Sequence, residues 1–269
     1  MLKRKIYHYL LEWKAEKERE CLLVKGARQI GKTYIVRCFG KAEYKSFIEL
    51  NFVQHPDLKQ IFEGSLDASE IYKRITAHVP EAEFVEHDTL IFLDEIQKCA
   101  KARTALKFLA EDNRFDVIAS GSLLGLHYGQ DADSEVEEAE SVPVGYERQI
   151  VMYSLDFEEF LWACGYTQET VDYLHSFFNS LTKVPNDIND KFESLLREFI
   201  VVGGMPEAVA DFTKNKNFGN VQRIQEKILA AYDDDISNHV KGSEKTKVRA
   251  CYDSLPKQLV RENRKFKYS

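Results

Sequence analysis

GARQIGKT, Gly26 to Thr33, carries the most specific spacing in the chain. The apolar run Cys21-Leu22-Leu23-Val24 precedes it, and Tyr34-Ile35-Val36-Arg37 follows with helical character. The spacing is G-x-x-x-x-G-K-T between a strand and a helix. Gly26 and Gly31 allow backbone angles and close approaches that a side chain would block. The loop then turns its N–H groups inward around a phosphate, at the positive end of the following helix. Lys32 is expected to reach the β and γ phosphates, and the Thr33 hydroxyl to ligate Mg²⁺. Ala27, Arg28, Gln29, Ile30 and Tyr34 complete the expected binding loop. Arg28 either touches phosphate or braces the loop. A plain glycine turn that happens to precede Lys-Thr is the competing reading, and the flanking strand and helix weigh against it.

A second stretch points the same way. Thr89-Leu90-Ile91-Phe92-Leu93-Asp94-Glu95 is an apolar strand ending in two acids. Four apolar residues in a row suit a strand buried on both faces of a parallel sheet. The carboxyl end of such a strand is where α/β sheets bind ligands. Asp94 is the expected Mg²⁺-side carboxylate, holding the ion through water. Glu95 is placed to orient and polarise an attacking water. Solvated acids capping a strand end are the bland alternative, which the phosphate loop upstream disfavours. Phe115 to Ser120 is a further strand, running into Ser120-Gly121-Ser122. A hydroxyl there, Ser120 rather than Ser122, would sense the γ-phosphate or position the water, unless the stretch is only a turn.

The chain has 269 residues, 44% hydrophobic and 30% charged, which is ordinary for a globular protein with a sizeable core. No apolar run approaches the roughly 20 residues that cross a bilayer. The amino terminus goes directly into a charged amphipathic pattern, without an apolar signal core. Five scattered cysteines form no C-x-x-C pair, which fits a reducing, cytoplasmic setting. Net charge is −7, but unevenly spread. His239 to Ser269 holds nine Lys/Arg against three acids, leaving −13 for residues 1–238. The body is a poor match for nucleic acid. The tail is either a nucleic-acid contact or, as we favour, a solvated helical face.

Read in order, residues 3–19 have helical spacing, with Ile6, Tyr9, Leu10 and Trp13 on one side. Gly40 is expected to end the helix after the phosphate loop. Ser46 to Phe52 alternates as a strand; Pro56–Ile61, Ser69–His78 and Lys101–Glu111 read as helices. Asp131–Glu140 carries six acids and reads as an exposed loop. Gln149–Leu155 is the fifth strand candidate, and Phe157–Cys164 is helical. Strands alternating with helices predict a doubly wound, mainly parallel α/β sheet. Beyond Gly165 everything reads as helix: 167–182, 188–202, a segment opened by Pro206, 218–235, and a pair broken at Pro256. The expected division is a 1–165 core, a 166–238 helical lid and a basic 239–269 segment.

Taken together, the chain resembles the AAA+ class of P-loop ATPases. More narrowly, it is similar to a family of bacterial and archaeal ATPases with an N-terminal AAA domain and a C-terminal nuclease-like domain of unknown function. The residues that carry the likeness span the whole chain. They are Arg4, Trp13, GARQIGKT at 26–33, LIFLDEIQ at 90–97, Leu106-Lys107, ASGSLLG at 119–125 and Val142 to Gly145. Phe157 to Leu161, GGMPEAV at 203–209 and Tyr232-Asp233-Asp234-Asp235-Ile236 complete the set. The resemblance implies ATP and Mg²⁺ as ligands, ADP as product, and assembly into oligomers with an arginine supplied by a neighbour. It also implies that Gly204-Met205-Pro206 is the G-x-P signature, with Pro206 near the adenine. Arg148 is an arginine finger or γ-phosphate sensor, or, as we favour, an ordinary arginine flanking a strand. Family members continue through a winged-helix-like segment and the nuclease-like domain, which handles a nucleic-acid or protein partner. Only part of that winged-helix-like segment is present here, so the chain is expected to be a fragment or a shortened gene, without nuclease activity. Three functions compete: an ATPase cycling between conformations, a nucleotide-gated binding module with little turnover, and a small-molecule kinase. No cluster of basic residues for a kinase acceptor stands out, and the Asp94-Glu95 pair argues for hydrolysis.

Overall fold

The computed structural model describes residues 2–16, 20–122, 145–239 and 243–259. Five strands form one sheet: β1 (Cys21–Gly26), β2 (Ser46–Asn51), β3 (Thr89–Asp94), β4 (Asp116–Ser122) and β5 (Glu147–Met152). Their order is β2-β3-β4-β1-β5, and every pairing is parallel. This is the α/β sheet that the alternation of strands and helices predicts. β3 and β4 are buried along their whole length. That explains their unbroken apolar runs, since helices cover both faces of a parallel sheet.

The two-residue period of a strand divides the core. Leu22, Val24, Leu90, Phe92 and Ile118 point to one face. There they meet α1 (Lys5–Ala15) and α2 (Lys32–Glu43) through Leu10, Trp13, Ile35, Val36 and Phe39. Leu23, Ile91, Leu93, Val117 and Ala119 point the other way. They pack on α3 (Ala68–His78), α4 (Ala100–Asp112) and a 3-10 segment, Pro56–Phe62. Burying each large apolar side chain contributes about 1.5–3 kcal/mol, so this two-sided core dominates stability.

Past Met152 the described residues hold no further strand. The helices are α5 (Phe157–Ala163), α6 (Gln168–Asn179), α7 (Asn186–Val202), α8 (Pro206–Asn215), α9 (Phe218–His239) and α10 (Ser243–Leu259). Leu155, Phe160, Val202, Val209 and Phe212 form a separate core among them. Met205 packs against both this core and the sheet's α1/α2 face, so it joins the two. Among the described residues, no helix is long and apolar enough to cross a membrane.

Three local expectations are corrected. Gly40 does not end α2, which runs on to Glu43. A Cβ at Gly40 would lie 2.2 Å from the Phe47 ring, so the glycine is there to admit that ring. An interior glycine costs a helix only about 1 kcal/mol, and packing on Phe47 and Leu90 offsets this. Nor does Pro256 break the tail into two helices: it lies inside α10. Its ring removes one hydrogen bond of the helix, which runs on to Leu259 among the described residues. β5 also starts and stops earlier than expected, at 147 and 152. The acidic stretch 131–140, the 142–144 motif, Leu123 to Gly125, residues 17–19 and the basic residues after 259 lie outside the described residues.

Candidate functional site

Parallel strands bring all their carboxyl ends to one edge of the sheet, where α/β folds bind ligands. Gly26 registers with Ser122 and Met152, and Asn51 registers with Asp94. The glycine loop and the two acids therefore share that edge, with only β4 between β1 and β3. Gly26 has no room for a side chain, because a Cβ would lie 2.4 Å from Met152 O. Gly31 caps α2 in the left-handed region, with φ of 90°, which turns the chain into the helix. The turn leaves Lys32 only 6% exposed. Its ammonium donates to Ala27 O at 2.7 Å and Gly26 O at 3.1 Å. Burial lowers the Lys32 pKa from the usual lysine value, against an upward pull from Glu95 and Asp94.

Asp94 is 1% exposed and held from three sides. Thr33 Oγ1 lies 3.0 and 3.1 Å from its two oxygens, Asn51 Nδ2 donates at 2.7 Å, and Ser120 Oγ donates to Oδ1. All three donors are neutral, so they fix the carboxylate without cancelling its charge. Burial raises the Asp94 pKa; the Ser120 and Thr33 hydrogen bonds oppose this, and Glu95 and Glu49 add to it. Glu95 follows in the left-handed region, with φ of 58°. For a residue with a side chain this costs roughly 1–3 kcal/mol, and such strain collects at functional positions. Gln97 Nε2 donates to the Glu95 carboxylate. Lys32, Thr33, Asp94 and Glu95 line a single cavity of about 860 Å³. A hydroxyl and a carboxylate at this spacing are hard oxygen donors of the kind Mg²⁺ takes, so the residues fit such an ion.

A profile of the AAA domain family matches residues 18–161, more than half of the chain. The chain belongs to the AAA domain family. A profile of a domain of unknown function matches residues 193–269. No curated protein matches the chain. Among solved structures, the chain is similar to the Walker-type ATPase paby2304 of Pyrococcus abyssi. Identity is 14% and the TM-score 0.46, over 96% of this chain and 78% of that one. It is also similar to AMPPCP-bound DnaA from Aquifex aeolicus, at 14% identity and TM-score 0.39, over 96% and 77% of the two chains. A third is the Aeropyrum pernix ORC1 protein in complex with DNA, at 15% identity and TM-score 0.36, over 58% and 46%.

The remaining expected residues fall around this AAA domain's loop. Ile30, Gly31, Tyr34 and Pro206 border a second cavity of about 490 Å³, walled further by Leu2, Ile35, Met152 and Ala210. Pro206 opens α8 and its Cγ would lie 3.9 Å from a Cβ on Gly31. Leu155 N donates to Gly204 O at 2.7 Å, which pins the turn before Pro206 to the end of the sheet. Arg4 also reaches this wall. It donates to Ile30 O at 3.1 Å and Tyr153 O at 2.7 Å, and its Nε lies 3.1 Å from Glu159. Ser120 is fully buried, and its hydroxyl is spent on Asp94. Ser120 and Ser122 also belong to β4 and not to a turn after it. Arg148 stands at the other end of the sheet, registered with Leu22, four residues or roughly 13 Å from Gly26. There it pairs with Glu16 and Glu20, which raise its pKa. The sensor reading of Arg148 within this chain is thereby corrected. Of the basic tail, α10 is described, and Arg249 on it pairs with Asp233.

Two partners escaped the sequence reading. Asn51 showed only as the polar end of an alternating strand, because its register with Asp94 is a tertiary fact. Asp235 lay in a quoted stretch, but nothing local tied it to Arg28, whose Nη1 it meets at 2.5 Å.

Proposed function

We propose that the chain binds ATP with Mg²⁺ and hydrolyses it slowly, and that nucleotide state repositions its helical part. The contact that carries this reading is Thr33 Oγ1 to Asp94 at 3.0 Å, beside the Lys32 ammonium in one 860 Å³ cavity. In this reading the loop amides from Ala27 to Thr33 and the Lys32 ammonium hold the phosphates. Thr33 and Asp94 would hold the metal, supplying oxygen donors of the kind Mg²⁺ takes. Magnesium, when bound, neutralises charge on the β- and γ-phosphate oxygens. Glu95 orients the attacking water and takes its proton. Ser120 and Asn51 keep Asp94 in place. Pro206 and the 490 Å³ cavity take the adenine. The core is residues 1–165, the lid 166–238 and the basic segment 239–269. The five cysteines are free, in keeping with a cytoplasmic setting.

A second reading, a nucleotide-gated switch with little turnover, draws on Gln97. Its amide engages the Glu95 carboxylate, which a water would need as its base. Steady-state phosphate release and calorimetric ATP titration separate the two. For the enzyme, Glu95→Gln keeps ATP affinity and cuts turnover about 100-fold. Turnover unchanged by Glu95→Gln removes Glu95 as the base. Fast hydrolysis by a monomer removes the need for a neighbour's arginine.

A further inference from the structure

Asp235 adds a third acid to the cavity that Asp94 and Glu95 line. It lines the same 860 Å³ cavity as Lys32, and is 9% exposed. Its carboxylate meets Arg28 Nη1 at 2.5 Å, across 207 residues of chain. One turn earlier on α9, the Tyr232 hydroxyl donates to Arg28 O at 2.9 Å. Helix α9 thus grips one loop residue by both its main chain and its guanidinium. Between these two contacts, Asp233 accepts from Arg249 Nη2 at 2.8 Å, which ties α10 to the same turn. The chain segment tied in this way lies within the match to the domain of unknown function. A guanidinium forks onto carboxylate and phosphate alike, so a γ-phosphate in this cavity would compete with Asp235 for Arg28. It would also be repelled by the Asp235 charge.

We propose that Arg28 reads the γ-phosphate by exchanging partners: Asp235 holds it until a triphosphate arrives, and the exchange releases α9 and with it α10. The proposal rests on the cavity being the nucleotide site. Asp235 is then a specificity residue. It opposes ATP, which recruits Arg28, and leaves ADP, which lacks the γ-phosphate, nearly untouched. Coupling is reciprocal, so the factor by which Asp235 weakens ATP is the factor by which ATP loosens α9.

The test titrates the whole chain, Asp235→Asn and Arg28→Gln with ATP and with ADP, each with and without Mg²⁺. Amide hydrogen exchange is followed over residues 218–239. Asp235→Asn is expected to bind ATP at least about fivefold tighter and ADP within about twofold. In the unaltered chain ATP, and not ADP, speeds exchange in α9. In Asp235→Asn that exchange is already fast without nucleotide. Arg28→Gln shows fast α9 exchange in every state and a smaller preference for ATP over ADP. Equal shifts for ATP and ADP in Asp235→Asn, or α9 exchange indifferent to ATP, overturn the proposal and leave a static strap. Weaker binding by Asp235→Asn that appears only with Mg²⁺ assigns Asp235 to the metal and overturns it too. In both cases the nucleotide site itself survives, because the unaltered chain binds. No binding of either nucleotide by the unaltered chain sinks the site and the proposal together.

Discussion

The two ends of one sheet treat charge in opposite ways. At the amino end, charged groups face each other. Arg148 forks onto Glu16 and reaches Glu20, Lys45 meets Asp88, and Arg114 meets Asp112. At the carboxyl end Arg28 pairs with Asp235 as well, but the two central charges do not pair: Lys32 lies on main-chain carbonyls, and Asp94 on a hydroxyl pair and an amide. Opposite charges that pair off lock a structure and leave little for a ligand. Neutral dipoles aim a charge while leaving most of it to act on something else. The same strands, followed from one end to the other, pass from scaffold to site.

Substitutions at the two ends should therefore separate binding from stability. Lys32→Ala is expected to weaken ATP binding at least about 100-fold, read by calorimetry. Retained affinity would erase the contrast, because the ammonium would then be as idle as a surface charge. Next in size is Asn51→Ala, which leaves Asp94 without its amide donor. It should weaken the Mg²⁺ dependence of binding about tenfold while affinity for Mg²⁺-free ATP holds. An equal loss in both conditions would make Asn51 a packing residue.

The charges at the carboxyl end should also set the pH profile. The raised Asp94 pKa means that its charge is lost, as pH falls, above the usual aspartate value of 3.8. The lowered Lys32 pKa means that its charge is lost, as pH rises, below the usual 10.5. Affinity of the free protein for Mg²⁺-ATP should narrow from both sides, and Lys32→Ala should abolish the alkaline limb. Stability has its own sign. A carboxyl whose folded pKa is raised favours folding at low pH, and that contribution is lost as pH climbs through the folded value. Ionised Asp94 is thus a cost at neutral pH, and Asp94→Asn should raise Tm by about 2–4 °C while ending Mg²⁺ dependence. The smallest effect belongs to the amino end. Arg148→Ala should leave ATP affinity within about twofold and lower stability by about 1 kcal/mol or less, since both of its partners are 39% exposed.

What the sequence disclosed follows from how local each feature is. The phosphate loop is eight consecutive residues whose types are fixed by their own backbone task. The buried β3 announces itself as an apolar run ending in two acids. Strand order is not written locally, because parallel neighbours are joined by crossovers and their register is settled by packing. The same holds for Asn51 against Asp94 and for Arg28 against Asp235. Gly40 and Pro256 misled for the converse reason. Both are strong local punctuators, yet α2 runs through the one, which admits the Phe47 ring, and α10 runs through the other to Leu259 among the described residues.

Arg4 carries a practical lesson. Its guanidinium fastens Ile30 of the loop, Tyr153 beyond the last strand and Glu159 of α5 at one point. Arg4 is therefore a structural pin shared by the loop, the sheet and the helical part. Replacing Arg4, or crowding it with a fused tag, would unpin one wall of the 490 Å³ cavity beside the loop.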